Sequence, residues 1–439
     1  MPKSRVSGLA LLLGALLMGC GADPGGPGRS VRSSLPRATN PQVSDADRAS
    51  QTSGDTAFAF NCYRQLAVQP GNVFYSPLSV SLALAMTWAG ARTTTEQEMA
   101  DALQYHLPQE RLHPFFNELD AELNSRGQGA KGKDGQGFRL RLVNSLWGQD
   151  GHTFLPPFLD VLAQSYGAGL NLLDFNKPET AADAINRWIA DQTENRITEL
   201  LSPEAIRGAA LVLTNAVYFN AAWAQPFDKS ATSDGDFRLR DASVVKVPMM
   251  RQTGAIRVGS GSLVRCVAAP CPSAGFGFRA VELPYDGNQL AMLIVLPDVQ
   301  PLDHLEASLS ADTLAAIVAS LAPGQVALQL PRWTFRSPAL SLKTSLATLG
   351  MRQAFLADQA DLSGMDGARD LFVSDVVHKA FVAVDESGTE AAAATGVIVA
   401  PTAMPVAPTP FVVDQPFIYM IRDIPTGALV FVGRVVDPR

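Results

Sequence analysis

The stretch DESGTEAAAATGVIVAPTAMPVAPTPF, residues 385–411, lies between two apolar segments, VVHKAFVAV and QPFIYMI. It opens on the charges of Asp385 and Glu386, continues in small residues, and ends in prolines at 401, 405, 408 and 410. Counted from Thr389, one parity reads Thr389, Ala391, Ala393, Thr395, Val397 and Val399, all uncharged and small or β-branched. The other reads Glu390, Ala392, Ala394, Gly396, Ile398 and Ala400. Successive side chains of a strand point to opposite faces, so the first parity can lie on a core without clash or buried charge. The spacing predicts a strand able to slide between two others. Gly388, just before it, can absorb the change of backbone angles that such entry needs. Beyond Ala400 the prolines forbid helix and favour an extended, exposed backbone, the shape a protease binds. A second reading fits the composition equally: AAAAT as the end of an ordinary helix and the proline run as an inert linker.

The whole chain has 439 residues, 47 % of them hydrophobic, which is enough to bury a large core. Its net charge of −7 gives no basic field for a phosphate backbone, which argues against nucleic acid as a partner. At the N-terminus, Lys3 and Arg5 precede LALLLGALLM, an apolar run too short to span a bilayer, and LMGC ends it. This pattern resembles a bacterial lipoprotein signal. It implies removal of residues 1–19, lipidation of Cys20, and a protein held on a membrane of the bacterial cell envelope outside the cytoplasm; ordinary signal cleavage is the alternative. Residues 20–50 are rich in Gly, Pro, Ser and Arg without helical or strand period, and read as a flexible, lipid-anchored linker before a domain spanning 51–439.

Export places the other cysteines in an oxidising setting. Cys266 and Cys271, in CVAAPC between GSGS and PSAG, read as a small loop disulfide, and Cys62 in an apolar helical pattern reads as a buried thiol. The five histidines, at 106, 113, 152, 304 and 378, are too scattered for a metal site, so no metal is expected. GQGAKGKD at 127–134 nearly matches a phosphate loop, but helix-like PFFNELDAELNSR precedes it where a strand is required, so it reads as a solvated loop. The chain has no G-x-S-x-G, H-E-x-x-H or C-x-x-C, so it reads as neither an enzyme nor a cofactor binder; a hydrolase with a dispersed triad is the remaining alternative. Helical periods dominate early, with AADAINRWIADQTENRITELL as an amphipathic helix, and strands dominate late, from ALVLTNAVYFNA to ALVFVGRVV. That order predicts an α+β fold.

The segment at 385–411 also resembles the reactive loop of serpins, the serine protease inhibitors, and the likeness extends over residues 51–439. NVFYSPLSVSLALAM, INRWIADQT, LVLTNAVYFNAAWAQPF, ELPYDGNQLAMLIVLP, LGMRQAFLADQADLSGM, VVHKAFVAVDESGTEAAAATG and FVVDQPFIYMIRD are each similar to a family block, in the family's order. The resemblance implies one large sheet, two smaller ones, about nine helices and an exposed loop at about 386–410, in a monomer. It implies a suicide substrate: a target serine protease forms a covalent acyl-enzyme with the loop, and the severed loop enters the large sheet and traps the protease. Carried across, Ser76, Ser79, Asn215 and His378 match a polar shutter where the sheet opens, and Trp223 and Arg332 lie at the breach where entry begins, with Glu386 a partner for Arg332. The hinge comprises Glu386, Gly388, Thr389, Glu390, Ala391, Ala392, Ala393, Ala394 and Thr395. The scissile bond is placed at Thr402–Ala403, with Ala403–Met404 second, because a bond followed by proline resists most serine proteases. Small residues there suit an elastase-like or subtilisin-like enzyme. A non-inhibitory member acting as a surface binding protein is the alternative.

Overall fold

LVLTNAVYFNAA and VSDVVHKAFVAVD are apolar on both parities over most of their length, as strands covered on both faces must be. In the computed structural model, which describes residues 28–132, 134–263, 276–299, 301–389 and 407–439, they form the strands Leu211–Ala222 and Val373–Asp385. The signal at 1–19, Cys20, Cys266, Cys271, the hinge from Glu390 to Thr395 and the bonds between Thr402 and Met404 all fall outside the described residues.

The two strands run parallel and are paired from Leu211 and Val373 up to Val217 and Ala380. We call this junction the seam. On one side of it Arg139–Gln149 pairs antiparallel with Leu211–Ala222, followed by Leu170–Leu173 and, at the edge, Arg29–Val31. On the other side Trp333–Arg336 and the short Leu340–Ser341 pair with Val373–Asp385. The two-residue strand Gly388–Thr389 completes an eight-stranded sheet. A second sheet has nine strands, where two smaller sheets were expected. They are joined because one 20-residue strand, Val244–Leu263, pairs with Ser233–Arg238 near its start and with the strand Phe276–Pro284 near its end.

The helix Pro77–Trp88 is apolar all round and every residue of it is buried between the sheets. Pro77 suits its first position, where no backbone N–H is needed, and the Ser76 hydroxyl caps it by accepting from the Ser79 N–H. The described residues contain eleven α-helices against the nine expected; the count includes single turns such as Pro203–Ile206 and Ser363–Asp366. No helix among them is long and apolar enough to cross a membrane.

Two expectations are corrected. The linker reading fails from residue 28 onward. Arg29–Val31 adds to the sheet edge, Arg37 bonds Asn117 at 2.7 Å and pairs with Asp120 at 2.7 Å, and a 22-residue helix capped by Ser44 begins at Asp45. The helix read over 181–201 ends at Gln192. Thr193 Oγ1 there donates to the Ile189 carbonyl at 2.8 Å, and Glu194 and Asn195 take left-handed φ angles of 51° and 58°. Ile197, Leu200 and Leu201 keep their helix-like spacing because all three are buried in the same apolar cluster as Ile185 and Ile189.

Candidate functional site

The seam is held at mid-height by polar groups in an otherwise apolar core. His378 and Asn215 face each other across it in register and both are fully buried. The Ser76 backbone N–H can only donate, and it points at His378 Nε2 at 3.2 Å, so Nε2 is the unprotonated nitrogen. Nδ1 therefore carries the proton and donates to Asn215 Oδ1. Asn215 Nδ2 then donates to Ser79 Oγ at 2.6 Å and to Asn144 Oδ1, and Ser79 Oγ donates to Asn144 Oδ1 at 2.9 Å. Ser76 Oγ donates to the Val430 carbonyl at 2.7 Å. The structure thus gathers all four residues expected at the shutter and adds Asn144, which sequence reasoning missed. A polar residue in the apolar run LVNSLW was the available signal.

Burial pushes the His378 imidazole down to about 3 and that of His113 down to about 4. Both are neutral in the fold, whereas an unfolded histidine titrates near 6.5. Between pH 6 and 4 the unfolded chain binds about two more protons at these sites. Asp55 works in the opposite sense, because burial raises its carboxyl to about 7, so the fold holds about one more proton there. The net difference is about one proton, and stability is expected to fall by about 1.4 kcal/mol per pH unit between pH 6 and 4. Urea unfolding at pH 6 and pH 4.5 checks this, and a midpoint that rises on acidification would contradict neutral imidazoles.

Above Val217 and Ala380 the seam strands part. Gly388 and Thr389 fill the top of the gap, pairing antiparallel with Ala222 and Ala221 on one side and with Asp385 and Val384 on the other. Gly388 has a φ of +151°, and a Cβ there would lie 2.1 Å from the Ala221 carbonyl oxygen, so only glycine fits. The Thr389 side chain points inward, is 1 % exposed, and its hydroxyl lies 2.8 Å from the Tyr285 hydroxyl. Trp223 stacks on Tyr285 with ring centres 4.6 Å apart and donates Nε1 to the Asp385 carbonyl at 2.9 Å. Its backbone N–H donates to the Ser387 carbonyl at 3.0 Å. Glu386 is buried; its carboxylate accepts from Thr232 Oγ1 at 2.7 Å and lies 3.7 Å from Arg332 Nη1. Arg332 sits between the strand Ala322–Pro331 of the second sheet and the strand Trp333–Arg336 of the first. Tyr285 and Thr232 escaped sequence reasoning because nothing local links them to the hinge. At the far end of the loop, Thr409–Val412 pairs parallel with Val326–Gln329 at the edge of the second sheet. Cys62 is a fully buried free thiol, pushed up to about 12 by burial and away from thiolate chemistry.

Gly388 and Thr389 thus lie between the parted strands of the seam, and Thr409–Val412 lies at the edge of the second sheet. A family model for serpins (serine protease inhibitors) matches residues 53–438. The chain is 39 % identical over 398 residues to the leukocyte elastase inhibitor of Bos taurus, covering 88 % of this chain and 99 % of that one. Among solved structures it is similar to native protease nexin-1 with heparin (TM-score 0.76, 27 % identity, 89 % of this chain and 100 % of that one). It is also similar to a thyroxine-binding globulin complex with thyroxine (TM-score 0.74, 28 % identity, 88 % and 99 %). The chain belongs to the family of serpins (serine protease inhibitors) and has their α+β fold.

Proposed function

We infer that this chain inhibits a serine protease of elastase-like or subtilisin-like specificity by offering its loop as a suicide substrate. The protease serine Oγ attacks the Thr402 carbonyl, the bond to Ala403 breaks, the new amine at Ala403 leaves with the proton, and an ester joins the protease to Thr402. The freed strand then enters the seam faster than water hydrolyses that ester. The observation that carries this reading is the burial of Thr389 between the two seam strands with its side chain inward. Strand alternation then makes 391, 393, 395, 397 and 399 the inward positions, and none of them carries a charge. Extending the same register places Thr395 beside Asn215 and His378, where its hydroxyl can bond the polar groups that an opened seam separates. It places Val399 opposite Leu211, the first residue of the seam strand, and Thr402 lies three positions beyond.

The lipoprotein-like start of the sequence supports an inhibitor tethered through Cys20 to the bacterial cell envelope, facing proteases outside the cytoplasm. The experiment is incubation with elastase-like, subtilisin-like and trypsin-like proteases, followed by denaturing gel electrophoresis and sequencing of the released C-terminal peptide. A gel-stable complex with the first two classes and a new N-terminus at Ala403 is expected. Cleavage in the loop with no complex from any class would overturn inhibition and leave a binding protein.

A further inference from the structure

Residues 28–38 run as a strap along one edge of the large sheet. Arg29–Val31 pairs with Leu170–Leu173, Arg32 donates to the Gly167 carbonyl at 3.1 Å, and the Ser33 hydroxyl donates to Asp160 at 2.5 Å. Further on, Arg37 lies against Asn117 and Asp120, both at 2.7 Å, and the Ala38 N–H donates to the Gln164 carbonyl at 2.9 Å. Ladder bonds and side-chain bonds thus fix the strap to the edge strand and to the helices Gln109–Asn124 and Pro156–Tyr166. Gly28 opens it with a φ of +106°, and a Cβ there would lie 2.3 Å from the Leu172 carbonyl oxygen, so glycine is required where the chain meets the sheet.

The registers put Arg29, Leu172, Gly148, Leu211 and Val373 in one row across the sheet. Arg29–Val31 runs antiparallel to Leu170–Leu173, which is parallel to Arg139–Gln149, itself antiparallel to Leu211–Ala222. The strap therefore climbs from this row toward the end of the sheet that holds Thr389, and the chain reaches Arg29 from the opposite pole, beyond Leu211. An entering loop would run the other way. Continuing the ladder in which Thr389 faces Ala221 sets Val399 opposite Leu211, and Thr402 passes about 10 Å beyond the row, at that same pole. The entered strand would lie four strand spacings from Arg29–Val31, about 19 Å.

We propose that the strap joins the lipid tether to the pole that receives the captured protease, so that capture by the anchored inhibitor lays the protease against the membrane. The proposal rests on the strand-entry and lipid-anchor readings above. From Cys20 to Arg29 the chain can reach about 30 Å at full extension. A protease domain of about 220 residues is about 40 Å across. Docked on the uncut loop, which leaves the sheet at Thr389 about 33 Å above the row, its centre stands about 50 Å above the row on the side away from the tether. After entry its centre lies about 30 Å beyond the row, on the side of the tether. So short a tether leaves no room for the protease between that pole and the bilayer, and the body tips about the strap until the protease rests on the lipid.

The test uses the lipidated full chain in phosphatidylcholine vesicles carrying an acceptor-labelled lipid, together with a donor-labelled elastase-like protease. A second sample receives the same protease with its nucleophilic serine replaced by alanine, which docks without being acylated. Energy transfer is expected to place the docked label at a mean height of about 60 Å above the lipid and the captured label at about 20 Å. Inserting about thirty Gly and Ser residues between Gly25 and Gly26 is expected to lift the captured label by about 20 Å with the yield of gel-stable complex unchanged. A gel-stable complex whose label stands as high as the docked one would overturn the shared pole while leaving capture in place. Absence of any gel-stable complex would overturn strand entry itself. A chain that carries no lipid at Cys20 by mass spectrometry, and does not float with vesicles, would overturn the anchor and this proposal with it.

Discussion

Thr389→Arg is expected to abolish the protease complex and turn the chain into a substrate. Thr389 is 1 % exposed, and its side-chain hydroxyl meets the Tyr285 hydroxyl, whose ring is itself stacked against Trp223. A guanidinium in that place would be a buried charge without a counter-ion, costing about 3–5 kcal/mol. The hinge would leave the seam, and strand entry would then have to carry the arginine back in. A barrier raised by about 3 kcal/mol slows entry more than a hundredfold, whereas hydrolysis of the ester is untouched. Nearly every encounter then ends in a cut loop and a free protease. Thr389→Ala loses one hydrogen bond, about 1 kcal/mol, and keeps a small inward side chain, so it is expected to retain most of the inhibition. Titration against the same protease on denaturing gels checks both. Full inhibition by the arginine variant would contradict entry through this register.

How much of this was legible in the sequence depended on whether the controlling contact was local. The inward parity of the loop could be read because a strand has a period of two, and the burial of Thr389 agrees with it. The shutter was reached through family resemblance, yet Asn144 was passed over, because its partners Ser79 and Asn215 lie 65 and 71 positions away. Tyr285 is 104 positions from Thr389, and no local pattern could join them. The strand Arg29–Val31 has three residues and no alternation of its own; it exists because Leu170–Leu173 offers an unpaired edge. The helix that stops at Gln192 was drawn too long because hydrophobic spacing reports which side chains are buried, and the connection that follows buries Ile197 and Leu200 without helical backbone. In each case the missing information was tertiary.

The central claim is that the intact fold holds its seam in a less stable arrangement than the one a severed loop would reach. In the present arrangement one parallel ladder of seven residue pairs joins the seam strands. Entry of residues 390–399 would replace it with two antiparallel ladders, which are also somewhat stronger per residue. At about 1 kcal/mol net for each added hydrogen bond, the gain is on the order of 10 kcal/mol, or about 12 °C in melting temperature for a domain of this length. The direct measurement is calorimetry of the intact chain beside the same chain nicked in its loop by a catalytic amount of a metalloprotease, which forms no acyl-enzyme to be trapped, with the cleaved fragments retained. The nicked molecule is expected to melt about 12 °C or more above the intact one. Equal or lower melting after the nick would show that the seam stores nothing.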